Sequence, residues 1–223
     1  MNPADVEAFF AALEAANPDP RTELHYSNPY TLLVAVVLSA QATDASVNLA
    51  ARTLFAEVDT PAKMVALGED ALRQRIRTIG LFNTKARNVI ALSEALIAHH
   101  GGEVPADRDA LQSLAGVGRK TANVVMNVAF GAETFAVDTH VFRVGNRTGL
   151  APGPTPVAVE DGLERVVPPR FRRHAHHWLI LHGRHVCKAR TPECWRCAVV
   201  GWCIYPDKRL ALPMVRKPSP PIT

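Results

Sequence analysis

Residues 111–125 read LQSLAGVGRKTANVV. A helical pattern runs into Gly116-Val117-Gly118, and a second helical pattern begins at once with Arg119 and Lys120. Two glycines, each able to take positive φ, let the chain reverse within a few residues. The turn leaves backbone N–H groups uncovered at the start of the second helix. Those groups and the helix dipole suit a phosphate oxygen, and Arg119 is placed to support the contact. This is the pattern of a helix-hairpin-helix, which grips a nucleic-acid backbone without reading bases. An unliganded helix–turn–helix corner is equally consistent with the glycines alone.

Lys120 falls in the first turn of the second helix, where the dipole disfavours a cation. A solvated surface lysine is the ordinary reading. The chemical one is an amine of lowered proton affinity, able to form a Schiff base. Eighteen residues on, Ala136-Val137-Asp138-Thr139-His140 puts Asp138 at the mouth of another helix. There it acts as an N-cap, and an ionised carboxylate so held also stabilises positive charge developing on a sugar.

Working outward, the whole chain is punctuated as helices. Apolar periodicity, caps, prolines and glycines predict helices over 5–16, 31–42, 45–57, from Thr60-Pro61, 72–78, 84–100, 108–114, 119–130, 139–148, 157–166 and 174–185. The span 31–42 is apolar nearly all round and reads as a buried helix. The Pro- and Gly-rich stretch 151–156 is a linker or long turn, and the tail 206–223 is expected to fray. With 48% hydrophobic residues the chain can build a real core, which excludes a disordered protein. No apolar run approaches bilayer length, and no signal peptide is visible, so a cytoplasmic protein is expected. The net charge of +4 is only a mild bias towards polyanions.

The four cysteines crowd into one loop: Cys187, Cys194, Cys197 and Cys203, spaced C-x6-C-x2-C-x5-C. In a reducing compartment such clustering points to a metal centre rather than disulfides. Spacing alone leaves zinc and a [4Fe–4S] cluster open, because only the central pair has the zinc-knuckle interval. His174, His176, His177, His182 and His185 lie upstream and read as a helix that happens to carry imidazoles.

Together the segments resemble the endonuclease III family of DNA glycosylases and abasic-site lyases. The likeness rests on LSAQATD (38–44), TIGLFNTKA (78–86), GEVP (102–105), GVGRKTANVV (116–125), AVDTHVFRVGNRT (136–148), HHWLILHGR (176–184) and the cysteine spacing. It implies an all-α fold with the active-site cleft between two domains. One is a six-helix barrel over 21–131 that includes the hairpin; the other, 1–20 with 132–223, carries a [4Fe–4S] cluster on the four cysteines. It implies Lys120 as nucleophile, Asp138 as its carboxylate partner, and DNA contacts from Gln41, Leu81, Gly116, Gly118 and Arg119. Gln41 would fill the gap left by a flipped base, and Leu81 would wedge the opposite strand. The expected partner is double-stranded DNA carrying oxidised or ring-saturated pyrimidines or abasic sites, met by a monomer in the cytoplasm or on the nucleoid. Ala115 stands where this family often has proline. The rival readings are a monofunctional adenine glycosylase and a non-catalytic hairpin module.

Overall fold

The computed structural model describes residues 1–211. Among them the chain forms eleven α-helices and no strand: α1 (Pro3–Ala16), α2 (Pro29–Ser39), α3 (Asp44–Glu57), α4 (Pro61–Leu67), α5 (Glu69–Arg75), α6 (Phe82–His100), α7 (Arg108–Gln112), α8 (Arg119–Phe130), α9 (Thr139–Thr148), α10 (Pro156–Val166) and α11 (Pro169–His185). A short 3₁₀ turn, Cys194–Arg196, lies in the cysteine loop. Most of the tail expected to fray, 212–223, lies outside the described residues.

Local chemistry sets most starts. Asn2, Asn28, Thr43, Thr60, Asp107, Asp138 and Thr155 each cap a helix with a side-chain oxygen, satisfying amides that have no intrahelical partner. At α2 the Asn28 and Thr31 side chains form a reciprocal capping box. Several ends differ from the sequence expectation, three of them instructively. Helix α2 stops at Ser39 rather than running to 42, because Ala40 leaves the helical region at ψ 118°, and Gln41 then takes a left-handed φ of 54°. Helix α5 starts at Glu69, displaced upstream by the Gly68 break. Helix α11 starts at Pro169, five residues before His174, since a proline at the first helical position needs no amide partner.

The apolar side chains gather into two clusters. The first centres on α2, whose residues 30–38 are all buried, and takes in faces of α3 to α8. The second joins α1 to α9, α10 and α11. The N-terminal helix thus packs on the C-terminal part of the chain. Phe9, Phe10, Phe171 and Trp178 form one aromatic group there, and Trp178 Nε1 donates to Asn17 O at 2.8 Å. Each such side chain taken out of water contributes about 1.5–3 kcal/mol. Phe135 and Ala136, in the strand-like link between α8 and α9, belong to different clusters, so the chain passes from one to the other between Lys120 and Asp138.

Candidate active site

The hairpin forms as read, with one correction. Gly116 has φ 77°, and a Cβ there would stand 2.8 Å from the Asn88 side chain of α6. Both conformation and space demand glycine. Gly118 does not share the first reason: its φ is −91°, open to any residue. It sits in open space, exposed, as the N-cap of α8 with no side-chain cap. The first amides of α8 therefore face outward unclaimed by any cap.

Arg119 is engaged inside the protein. Its Nε and Nη2 donate to the two oxygens of Glu160, each at 2.9 Å. The Glu160 side chain is buried, and Asn123 Nδ2 gives it a further bond of 2.9 Å. The fork ties the hairpin helix to α10 and leaves Nη1 for any other partner.

Lys120 lines a small pocket walled by α2, α8 and α11, by the segment 21–24 and by Asp44. Val36, Ser39, Asp44, Val124, His176, His177, Ile180 and Arg184 share the lining with it. The amine remains reachable from solvent, yet protein surrounds it on most sides. That desolvation pushes its pKa down, with Arg184 adding to the effect, while Asp138 and Asp44 oppose it. Asp138 is close enough to act on Lys120 through its field, although no ion pair within 4 Å joins them among the described residues. One oxygen of Asp138, Oδ1, accepts from the amides of His140 and Val141 at 2.8 and 2.9 Å. The cap fixes the carboxylate's position, and Oδ2 is left uncommitted.

Helix α9 is pressed onto α11 at Gly183, where a Cβ would lie 2.8 Å from His140 Cβ. Arg143 on α9 locks the pair by donating to Gly183 O at 2.7 Å and Cys187 O at 2.9 Å. On the pocket's rim Arg184 binds Asp44 at 2.5 Å and also Glu23. Neither carboxylate was singled out as a site residue from sequence, because 140 and 161 positions separate them from Arg184. The two histidines His176 and His177 also face this pocket. His176 shares an i, i+4, i+8 stripe with Ile180 and Arg184, and His177 lies beside it.

Gln41 and Leu81 are the two non-glycine residues with positive φ among the described residues, at 54° and 59°. Both are exposed, and Gly80 brings their loops together: its Cβ position lies 3.8 Å from Gln41 O. Left-handed backbone at such residues is disfavoured and persists only where surroundings enforce it.

The four cysteines are unpaired and line one apolar pocket with Thr148, His182, Val186, Val200, Tyr205 and Lys208. Arg147 clamps this loop through Lys188 O and Ala189 O at 2.8 and 2.7 Å and lies over the Tyr205 ring. Among the described residues no three His, Cys, Asp or Glu side chains are grouped to hold a single metal ion.

Comparison with known proteins agrees across the chain. Residues 34–169 match the model of the HhH-GPD superfamily of base excision DNA repair proteins. Endonuclease III of Rickettsia conorii is 56% identical over 200 residues, 90% of this chain and 95% of that protein. Endonuclease III of Escherichia coli K12 is 52% identical over 208 residues, covering 93% and 99%. A trapped endonuclease III–DNA covalent intermediate superposes with a TM-score of 0.86 at 43% identity, over 92% of this chain and 96% of that one.

Proposed function

This chain belongs to the endonuclease III family of the HhH-GPD superfamily and is a base excision repair DNA glycosylase; from that premise we propose that it is also an abasic-site lyase, with Lys120 as nucleophile. The observation that carries the reading is the Lys120 amine, held in the pocket with lowered proton affinity and under the field of a capped Asp138. The rival readings, an adenine glycosylase and a non-catalytic module, are not favoured: relatives above half identity are named endonuclease III.

The reaction follows from these groups. A damaged nucleotide leaves the duplex at a cost of a few kcal/mol, lower for a damaged pair. The neutral Lys120 amine attacks C1′. The glycosidic bond breaks, its electrons leave with the base, and the base takes up a proton. Asp138 stabilises the cationic sugar through its uncommitted oxygen. Loss of the amine's proton and opening of the sugar ring give an imine between Lys120 and C1′. Removal of a C2′ proton then expels the 3′ phosphate by β-elimination. Oxidised and ring-saturated pyrimidines and abasic sites are the proposed substrates.

DNA is held, on this proposal, by the free amides at Gly116 and Gly118, by Gln41 in the vacated stack and by Leu81 against the opposite strand. Arg119 supports the hairpin chiefly from behind, with Nη1 left for phosphate. The proposed domains are 21–131 and 1–20 with 132–223, the latter including residues beyond those described; the two apolar clusters support this division apart from Ala136, which packs with the first. Cys187, Cys194, Cys197 and Cys203 fit a [4Fe–4S] cluster. Four thiols line one apolar pocket, a donor set suited to such a cluster. Once bound, the cluster would cross-link the loop that Arg143 and Arg147 tie to α9. No helix among the described residues is long and apolar enough to cross a membrane, and a monomer working on DNA in the cytoplasm is the proposed setting.

Borohydride reduces an imine to a stable amine, so the unaltered protein should be trapped on abasic DNA. Trapping of Lys120→Ala at the unaltered rate would exclude Lys120 as the nucleophile.

A further inference from the structure

Both pocket histidines carry buried ring nitrogens without a partner among the described residues, and His176 carries two of them to one, Nδ1, on His177. His176 is 2% exposed, and neither of its ring nitrogens has a hydrogen-bond partner among the described residues. Burial, then the neighbouring His177 and Lys120, hold its pKa well below the ordinary histidine range, so the ring is neutral. A neutral imidazole carries one donor and one acceptor. Leaving both unmet inside a protein is costly, and native interiors avoid it unless the group has a use.

The surroundings aim this ring. His176, Ile180 and Arg184 lie at i, i+4 and i+8 on α11, one stripe along the pocket that holds Lys120. His177 stacks on His176 with ring centroids 4.3 Å apart and planes inclined by 21°. Val36, Val124 and Ile180 supply apolar wall to the same pocket. A buried hydrogen-bonding group, orphaned in the free protein and lining a pocket, is the arrangement that selects a ligand by its polar edge.

We infer that His176 is a specificity-determining residue that hydrogen-bonds the edge of the extruded pyrimidine, through a ring nitrogen that accepts from its N3–H or donates to a ring carbonyl. The inference rests on the glycosylase reading above. In thymine and uracil derivatives, ring saturation and oxidation at C5 and C6 leave N3–H and the two carbonyls in place, so a reader on that edge serves all of these lesions. His177 holds the ring plane from behind. An abasic site has no base to read, so its cleavage needs Lys120 but not this contact.

The test is a ratio. Single-turnover base release from DNA containing dihydrouracil is compared with strand cleavage of the same duplex carrying an abasic site. For His176→Phe, which fills the space without donor or acceptor, the ratio of base release to cleavage should fall roughly ten- to a hundredfold, the loss of one buried hydrogen bond. His176→Gln retains a donor and an acceptor and should recover part of it. An unchanged ratio in His176→Phe, whether both rates persist or both fall together, would overturn the inference. An unaltered protein that releases no base and cleaves no abasic strand would overturn the glycosylase–lyase reading and this inference with it, before any substitution is made.

Discussion

Replacing Arg119 with alanine separates support of the hairpin from contact with DNA. The Arg119 fork makes two bonds of 2.9 Å to Glu160, whose side chain is 5% exposed while that of Arg119 is 39% exposed. Removing the arginine strands a buried carboxylate. Breaking a fully buried pair from one side costs about 3–5 kcal/mol. Here the loss is smaller, because Asn123 still donates to Glu160 and Arg108 lies 4.0 Å away, and because solvent already screens the arginine. We expect roughly 2 kcal/mol, or about 4–8 °C in Tm for a chain of this size. Glu160→Gln should cost less, since Arg119 can turn to water and Asn123 keeps an acceptor. In the double variant the two losses should fail to add. Thermal unfolding of the three variants measures this, and binding to undamaged duplex across a salt series measures the other role. An unchanged Tm for Arg119→Ala, with the log–log salt slope reduced by about one, would refute the support role and make Arg119 a phosphate ligand.

The rate of borohydride trapping on abasic DNA should rise with pH and level off above a midpoint below the ordinary lysine value of 10.5, because burial lowers the Lys120 pKa and the neutral amine is the nucleophile. Asp138→Asn keeps a capping side chain but removes a charge that favours the ammonium form, so the midpoint should move lower still even as the rate falls; an upward move would mean that Asp138 does not act on Lys120. Gly183→Ala should destabilise the protein by about 1–3 kcal/mol through overpacking, since its Cβ would lie 2.8 Å from His140 Cβ, and base release should fall as α9 is pushed from α11; wild-type stability by calorimetry would contradict this contact. Cys197→Ser should lose the visible absorption of an iron–sulfur cluster and loosen the loop to proteolysis, and an unaltered spectrum would exclude Cys197 as a ligand.

What the sequence made legible follows the range of the forces involved. Thr60, Asp107 and Asp138 announced their helices because a cap acts over two or three residues. The hairpin was legible for the same reason, although Gly118 sits in open space at a φ that any residue can adopt. The wall of the pocket was not. Arg184 meets Glu23 and Asp44 across 161 and 140 positions, and the orphaned nitrogens of His176 become visible only once α2 and α8 are packed over α11. No local pattern encodes such meetings, and HHWLILHGR reads equally well as a helix that carries imidazoles by chance.

Gln41 and Leu81 show where local and global demands part. Nothing in LSAQATD or TIGLFNTKA predicts a left-handed residue, and an apolar run such as 31–42 argues for continuing the helix through Gln41. The structure instead holds both residues at positive φ, against a preference of about 1–2 kcal/mol each. It also leaves both side chains exposed, on loops that touch at Gly80. The disfavoured conformation thus coincides with a polar and an apolar side chain, both exposed, on loops that meet at Gly80. Two adjacent strained residues, both outward-facing, have no use in packing. They fit a surface that meets a partner by insertion, and the damaged duplex proposed as substrate supplies two gaps to fill, one in each strand.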